Sequence, residues 1–295
     1  MSQPEVIARA DVVAGIRRLP LVNALLLAVT ALTTAMASAL FLGFDPISDP
    51  RQLVHGIPFA ATLITILLVH ESGHYLMCRR HGVAASLPYF VPAPPNIVPV
   101  GTFGAFIRIR SRFPDRRALF DIGAAGPWAG FVVAVAATAI GLRLSTVLAA
   151  PPTEHTIGLG DSLLTTLLTR LVLGTNPDLV MLHPVAFAGW FGLFVTSLNL
   201  LPAGQLDGGH VLYAVVGRRT RLLPPVLLAT LLWLGNRGWP GWFVWAGIIA
   251  VMVSLGHPPS QDDARPLGFA RVVSAGATLA VLVLTFVPEP FRIVP

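Results

Sequence analysis

The segment His70-Glu71-Ser72-Gly73-His74 has the residue types and spacing of a metal-dependent hydrolase. On a helix, two histidines four residues apart project from one face and can bind one metal ion, while the intervening glutamate can reach a water on that ion. The stretch from Gln52 to His70 contains no Asp, Glu or Arg. Placing ionisable side chains at the end of such an apolar run costs free energy, so their presence there indicates a function. The pattern therefore predicts zinc-dependent hydrolysis within a bilayer.

The composition is that of a polytopic membrane protein. Of 295 residues, 54% are hydrophobic and 12% are charged, which is far from a soluble enzyme. The net charge of +6 comes from arginines in short loops between apolar runs, a pattern that orients helices, so no nucleic-acid partner is expected. The single cysteine, Cys78, excludes an internal disulfide and is interpreted as a buried structural thiol.

Apolar runs set the expected architecture. Seven runs have about the length and hydropathy of membrane-crossing helices, so we predict an all-α polytopic membrane protein. Because the fifth run is short and carries Pro224-Pro225, the predicted number of transmembrane helices is about six to seven. The first run is too long for a usual signal peptide and is interpreted as an uncleaved anchor. The runs cover residues 19–44, 52–77, 122–142, 179–206, 222–236, 238–258 and 268–288.

Arginine-rich and arginine-poor loops alternate along the chain, which predicts the sidedness of the helices. Residues 1–18 form the expected cytoplasmic N-terminal tail, and residues 19–295 form a single membrane domain. With seven crossings, every arginine-rich loop lies on the cytoplasmic side. These loops include Arg79, Arg80, Arg108, Arg110, Arg112, Arg116 and Arg117 after the second run, and Arg218, Arg219 and Arg221 after the fourth.

The predicted topology supplies a third metal ligand. The second and fourth runs both point inward, so Asp207, at the end of the fourth, reaches the same side of the membrane as His70 and His74. Tetrahedral catalytic zinc takes three protein ligands and one open position, and a carboxylate suits the third place. Glu71 is then the expected proton acceptor from water. His210 remains a rival ligand or a residue that supports one.

Four motifs together resemble the site-2 protease family of intramembrane zinc proteases. HESGH lies at 70–74 and NLLPAGQLDGG at 199–209 on separate inward-running spans. Two further segments are similar to bacterial and chloroplast members, VGTFGAFIRIRS at 100–111 and ALFDIGAAGPWAG at 118–130. The extracytoplasmic segment from 143 to 178 is too short for the PDZ domain that some relatives insert there.

The resemblance implies further roles. Asn199 and Pro202 would line the cleft, and Gly126 and Gly130 would permit close helix contact. Residues 84–110 would form a small re-entrant β-hairpin whose edge strand, including Phe103 and Gly104, binds unwound substrate. The expected substrate is a single-span membrane protein in the lipid bilayer, and the expected location is a bacterial inner membrane with a cytoplasmic N-terminus.

Two alternatives remain open at this point. A metal-ion transporter could use His70, Glu71, His74 and Asp207 as a translocation site. A non-catalytic relative is disfavoured because all four chemical residues are present. Transport and hydrolysis make different demands on Glu71, since transport tolerates any ligating carboxylate whereas hydrolysis needs a base positioned on water.

Overall fold

The structure, a computed structural model, describes residues 20–150, 157–254 and 261–293. The described chain is mostly helical, with three pairs of short strands. The predicted tail at 1–18 lies outside the described residues. The α-helices are α1 Leu21–Phe41, α2 Ile57–Arg80, α3 Arg116–Arg143, α4 Leu163–Leu173, α5 Pro184–Asn199, α6 Asp207–Val216, α7 Leu223–Arg237, α8 Gly241–Ser254 and α9 Phe269–Thr285. The strands are β1 Tyr89–Pro92, β2 Thr102–Phe106, β3 Thr146–Val147, β4 Ile157–Leu159, β5 Val180–Met181 and β6 Phe291–Ile293.

Three helical segments are long and apolar enough to cross a membrane: α1, the run from Pro50 to Arg80 that contains α2, and α3. Large apolar side chains cover the outside of several helices, among them Leu25, Val132, Val251 and Leu279, each at least 60% exposed. A continuous apolar exterior of this kind is expected against lipid rather than water. The chain is therefore a membrane protein, and the total of six to seven crossings stays a prediction.

The centre of the fold is a bundle of α2, α3 and α5, with α6 against α3. Small residues let these helices approach closely: a Cβ at Gly189 would lie 2.5 Å from the backbone nitrogen of Thr138, and one at Gly192 would lie 2.9 Å from Ile66. Such interfaces are typical of membrane helices, where packing rather than the hydrophobic effect holds the helices together. The metal-site motif on α2 thus lies in the most tightly packed part of the molecule.

The fourth apolar run is shorter as a helix than its hydropathy indicated. Helix α5 ends at Asn199, and a turn through Pro202 and Gly204 leads to α6, which begins at Asp207. Pro202 lacks a backbone donor, and Gly204 adopts a φ of 54°, so both favour a turn over a continued helix. Asp207 therefore opens a new helix instead of ending the fourth span.

The expected β-hairpin is present. Strands β1 and β2 pair antiparallel, with Tyr89 opposite Phe106 and Phe90 opposite Ala105. The pairing continues irregularly beyond the strands, because Ser86 donates to the carbonyl of Arg108 and Arg110 donates to that of Ala84. The hairpin thus covers the region from 84 to 110, and its depth in the bilayer stays a prediction.

Helix α4 is a feature that hydropathy did not indicate. It begins with a capping box formed by Ser162 and Thr165 and ends at Gly174, whose φ is 67°. Strands β3 and β5 pair within the same connection between α3 and α5, whereas β4 in that connection pairs with β6, which follows α9. The segment after α3 is thus a small folded cap, consistent with its being too short for an inserted domain.

Candidate metal centre

The two histidines of the motif lie on one buried face of α2. His70 and His74 are one turn apart, and both side chains are almost completely excluded from the surface, as is that of Glu71. Gly73, between them, packs where a Cβ would lie 2.5 Å from the carbonyl oxygen of Ala125 on α3. The motif glycine thereby lets α2 press its histidine face close to α3.

Asp207 reaches this face because the turn before it is tightly folded. It is the first residue of α6, and the two glycines that follow lie directly over the preceding turn. A Cβ at Gly208 would overlap the carbonyl of Leu200, and one at Gly209 would lie 2.6 Å from the carbonyl of Gly204. The Asp-Gly-Gly sequence therefore sets the position of the carboxylate by allowing α6 to start against its own connecting turn.

The three side chains have the spacing of a tetrahedral metal site. The Asp207 Oδ2 atom lies 3.3 Å from the Nε2 atoms of both His70 and His74, and these two nitrogens are 3.1 Å apart. Zinc bonds of about 2.0–2.1 Å place neighbouring tetrahedral donors roughly 3.3–3.4 Å apart. Two imidazoles and one carboxylate are also a donor set that zinc accepts. The donor set and its spacing fit zinc.

A backbone carbonyl orients one of the imidazoles. The Nδ1 atom of His74 lies 2.7 Å from the carbonyl oxygen of Ile122 on α3. Since the carbonyl can only accept, Nδ1 carries the proton and Nε2 is left as the electron-pair donor facing Asp207. Such contacts to the second ring nitrogen fix the tautomer and orientation of a metal-binding histidine. Every residue carries a backbone carbonyl, so the sequence does not indicate that Ile122 orients His74.

Two glycines of α3 make room for the imidazoles. A Cβ at Gly126 would overlap the His74 ring, and one at Gly130 would lie 3.1 Å from Nδ1 of His70. The close helix contact predicted for Gly126 and Gly130 is therefore a contact with the two histidines of α2. The four-residue spacing of the glycines on α3 matches the four-residue spacing of the histidines on α2.

Glu71 contacts the β-hairpin. The backbone N–H of Ile107, one residue beyond β2, faces the Glu71 carboxylate. The backbones of Arg108 and Arg110 form hydrogen bonds with those of Ser86 and Ala84, on the side of the hairpin that contains β1. Because successive residues of a strand direct their backbone N–H and C=O groups to opposite edges, those of Ile107 point away from β1. The edge of β2 that does not face β1 is thus the edge directed at the glutamate.

An ion-pair cluster fixes the part of α3 that holds the orienting carbonyl. Asp121, next to Ile122, accepts hydrogen bonds from Nε of Arg271 at 2.8 Å and from its Nη2 at 2.7 Å. His81, at the end of α2, lies 2.9 Å from the same carboxylate. The start of α9 is thus tied to α3 immediately beside the carbonyl that orients His74.

The remaining predicted residues have varied environments. The His210 ring lies beside that of Phe113, with centroids 5.6 Å apart and ring planes tilted by 57°, and His210 lies outside the group of three donors. Asn199 is the last residue of α5, and Pro202 lies in the turn that leads to Asp207. The Phe103 side chain is 69% exposed, and a Cβ at Gly104 would meet nothing within 4 Å. Cys78 is buried, as predicted.

Replacing Asp207 by alanine is expected to lower zinc affinity together with any zinc-dependent activity, because two protein donors would remain in place of three. Competition with a chromogenic chelator measures the affinity, and we expect a loss of at least about 100-fold. His210→Ala is the matched control on the next turn of the same helix. If His210→Ala loses zinc while Asp207→Ala holds it as the parent does, the ligand assignment is wrong.

Comparison with known proteins agrees with this geometry. The model of peptidase family M50 matches residues 58–233. Probable zinc metalloprotease EGY1, chloroplastic, from Arabidopsis thaliana is 36% identical over 243 residues, which are 79% of this chain and 43% of that protein. Its counterpart from Oryza sativa subsp. japonica is 33% identical over 241 residues, which are 79% of this chain and 40% of that protein. Probable zinc metalloprotease EGY2, chloroplastic, from Arabidopsis thaliana is 32% identical over 198 residues, 63% and 33% of the two chains.

The family match covers all three donor residues and the glutamate. Residues 58–233 include both the His-Glu-Ser-Gly-His motif and Asp207, together with the glycines of α3. The chain spans about two-fifths of the length of the EGY1 relatives. The resemblance to site-2 proteases that the four motifs indicated is confirmed. This chain belongs to peptidase family M50.

Proposed function

We propose that this protein is a zinc endopeptidase that cuts a peptide bond in or near the transmembrane segment of a single-span membrane protein. The observation that carries the proposal is the tetrahedral spacing of two imidazoles and one carboxylate beside a buried glutamate. The names of the relatives, which are probable zinc metalloproteases, support zinc as the metal and hydrolysis as the reaction.

The proposed roles follow from where the side chains lie. His70, His74 and Asp207 hold the ion, which when bound acidifies water and polarises the scissile carbonyl. Glu71 takes a proton from the attacking water and later delivers it to the leaving amine. The N–H of Ile107 faces the Glu71 carboxylate, whose other lone pairs are left for that proton.

The substrate is proposed to bind as an added strand along the outer edge of β2. Strand addition satisfies the backbone of an extended peptide through main-chain hydrogen bonds. Phe103 and Gly104 lie on this strand, where the glycine leaves open space and the phenyl ring is exposed. Asn199 and Pro202 are proposed to contact the substrate backbone from the other side, since both lie within the segment that leads from α5 to Asp207.

The direct test is cleavage by the purified protein. Synthetic single-span peptides in detergent micelles are incubated with the parent protein, with chelator-treated protein, and with treated protein to which zinc is returned. We expect cleavage that is lost on chelation and restored by zinc, with products located by mass spectrometry. Cleavage that persists after complete metal removal contradicts the proposal.

The strand role has its own expected result. Proline at Ala105 removes one outward-facing donor and is tolerated on a strand edge, so Ala105→Pro is expected to raise KM about 10-fold while zinc content stays unchanged. Ala105→Val is the control, because it adds side-chain bulk but keeps the donor. Equal KM values for the parent and Ala105→Pro would reduce the hairpin to a structural element.

The comparisons give no support to a metal-ion transporter, since the matched family and the named relatives are peptidases. They also bear on location. The relatives are chloroplast proteins by name, which conflicts with the bacterial inner membrane expected from the sequence. The membrane is therefore proposed only as the bilayer that the apolar helices occupy, with the arginine-rich loops on one side.

A further inference from the structure

Helix α1 carries no residue of the metal site, yet it holds the β-hairpin by two side chains. The Asn23 amide donates to the carbonyl of Pro88 at 2.8 Å and to that of Leu87 at 3.3 Å. The Thr33 hydroxyl donates to the carbonyl of Gly101 at 2.7 Å. These contacts join α1 to residues more than 60 positions later in the chain. A plain membrane anchor needs no such contacts.

The two contacts hold opposite ends of the hairpin. Pro88 immediately precedes β1 and Gly101 immediately precedes β2, and in an antiparallel pair these starting points lie at opposite ends. Ten residues of helix separate Asn23 from Thr33, a rise of about 15 Å. A strand of four to five residues extends roughly 13–17 Å. The helix spacing therefore matches the length of the hairpin that it holds.

The contact at Gly101 is especially close. This glycine has a φ of 69°, and a Cβ there would overlap the carbonyl of Thr33 and lie 2.7 Å from the Cα of Thr34. The start of β2 thus lies directly against the helix backbone, where the Thr33 hydroxyl reaches the Gly101 carbonyl. At the other end of the strand, the N–H of Ile107 faces the Glu71 carboxylate. Strand β2 therefore connects a contact on α1 with the proposed catalytic base.

We propose that Asn23 and Thr33 are positioning residues that set the register of the hairpin against Glu71, and through it the substrate bond that is cut. This inference rests on the proposed function, because it concerns the strand to which the substrate is added. Successive residues of a strand direct their N–H and C=O groups to opposite edges, so a shift of the hairpin by one residue would change which backbone groups face Glu71 and the substrate. Two contacts at opposite ends resist such a shift, since sliding of the hairpin along α1 breaks both.

The test compares cleavage sites. The double variant Asn23→Leu, Thr33→Val keeps similar side-chain volumes but removes both donors. We expect it to retain zinc, to raise KM about 3- to 10-fold, and to cut a single-span peptide at additional bonds one or two residues from the parent site. Mass spectrometry of the products gives the cleavage sites. Thr33→Ser keeps the hydroxyl and is expected to cut at the parent bond alone.

Thr65→Val is the matched control, because within the described part of the chain the Thr65 hydroxyl bonds to the carbonyl of Ala61 in its own helix and to no other group. Should the double variant fail to retain zinc, the cleavage sites of the single variants Thr33→Val and Asn23→Leu are determined in the same way. Variants that hold zinc and cut only the parent bond at parental KM overturn the inference while leaving the peptidase assignment intact. A parent protein that cuts no peptide contradicts the proposed function instead.

Discussion

Glu71→Gln is expected to bind zinc as the parent does and to cleave peptides about 10²–10⁴-fold more slowly. Glutamine keeps the size of the side chain but cannot take a proton from water. The residue lies outside the group of three donors, so the ion keeps its two imidazoles and its carboxylate. Metal analysis and single-turnover cleavage on the same preparation measure both quantities.

The control for this experiment is His70→Ala, which removes a donor and is expected to lose zinc as well as cleavage. The pair separates loss of the base from loss of the metal. Glu71→Gln with parental cleavage rates would remove Glu71 from the proton-transfer step. A variant that loses zinc along with activity would instead place Glu71 among the metal-binding residues.

Gly126→Ala is expected to weaken zinc binding by about 100-fold or more, although Gly126 makes no bond to the metal. A Cβ at this position overlaps the His74 imidazole on the side of Nε2, the nitrogen that faces Asp207, so the ring must move out of its place beside Asp207. Mutating a residue that only hydrogen-bonds to a metal ligand already lowers metal affinity by about 10–100-fold, and here the ligand itself moves.

Gly247→Ala on α8 is the matched control, because a Cβ there meets no described atom within 4 Å. It adds the same methyl group to another membrane helix and is expected to leave zinc affinity unchanged. The zinc affinity of Gly130→Ala is expected to lie between those of Gly126→Ala and Gly247→Ala, since its Cβ would lie 3.1 Å from His70. Parental zinc affinity in Gly126→Ala would mean that α3 has room to move away from α2.

The convergence of the donors could be predicted because it follows from simple constraints. A four-residue histidine spacing fixes one helix face, and the sidedness of the arginine loops brings Asp207 to the same end of the bundle. Neither constraint depends on how the side chains pack. The resulting group is the one in which the three donor atoms lie within 4.8 Å of one another.

The details that escaped prediction depend on the backbone and on close packing. The carbonyl of Ile122 has no residue-type signal, because every residue carries a carbonyl. Hydropathy counted the turn through Pro202 as part of a span, because apolar side chains score alike in a helix and in a turn. The glycines of α3 could be assigned to helix contact from their spacing, but only the structure shows that they contact imidazoles.

The tie between Arg271 and Asp121 has a consequence for biogenesis. All three donors are synthesised before α9, yet the segment of α3 that orients His74 is held by an arginine near the start of that later helix. A nascent chain that has reached α6 therefore carries every ligand but lacks one constraint on their geometry. Tight metal loading is thus expected only after α6 has been made, when α9 inserts and Arg271 reaches Asp121.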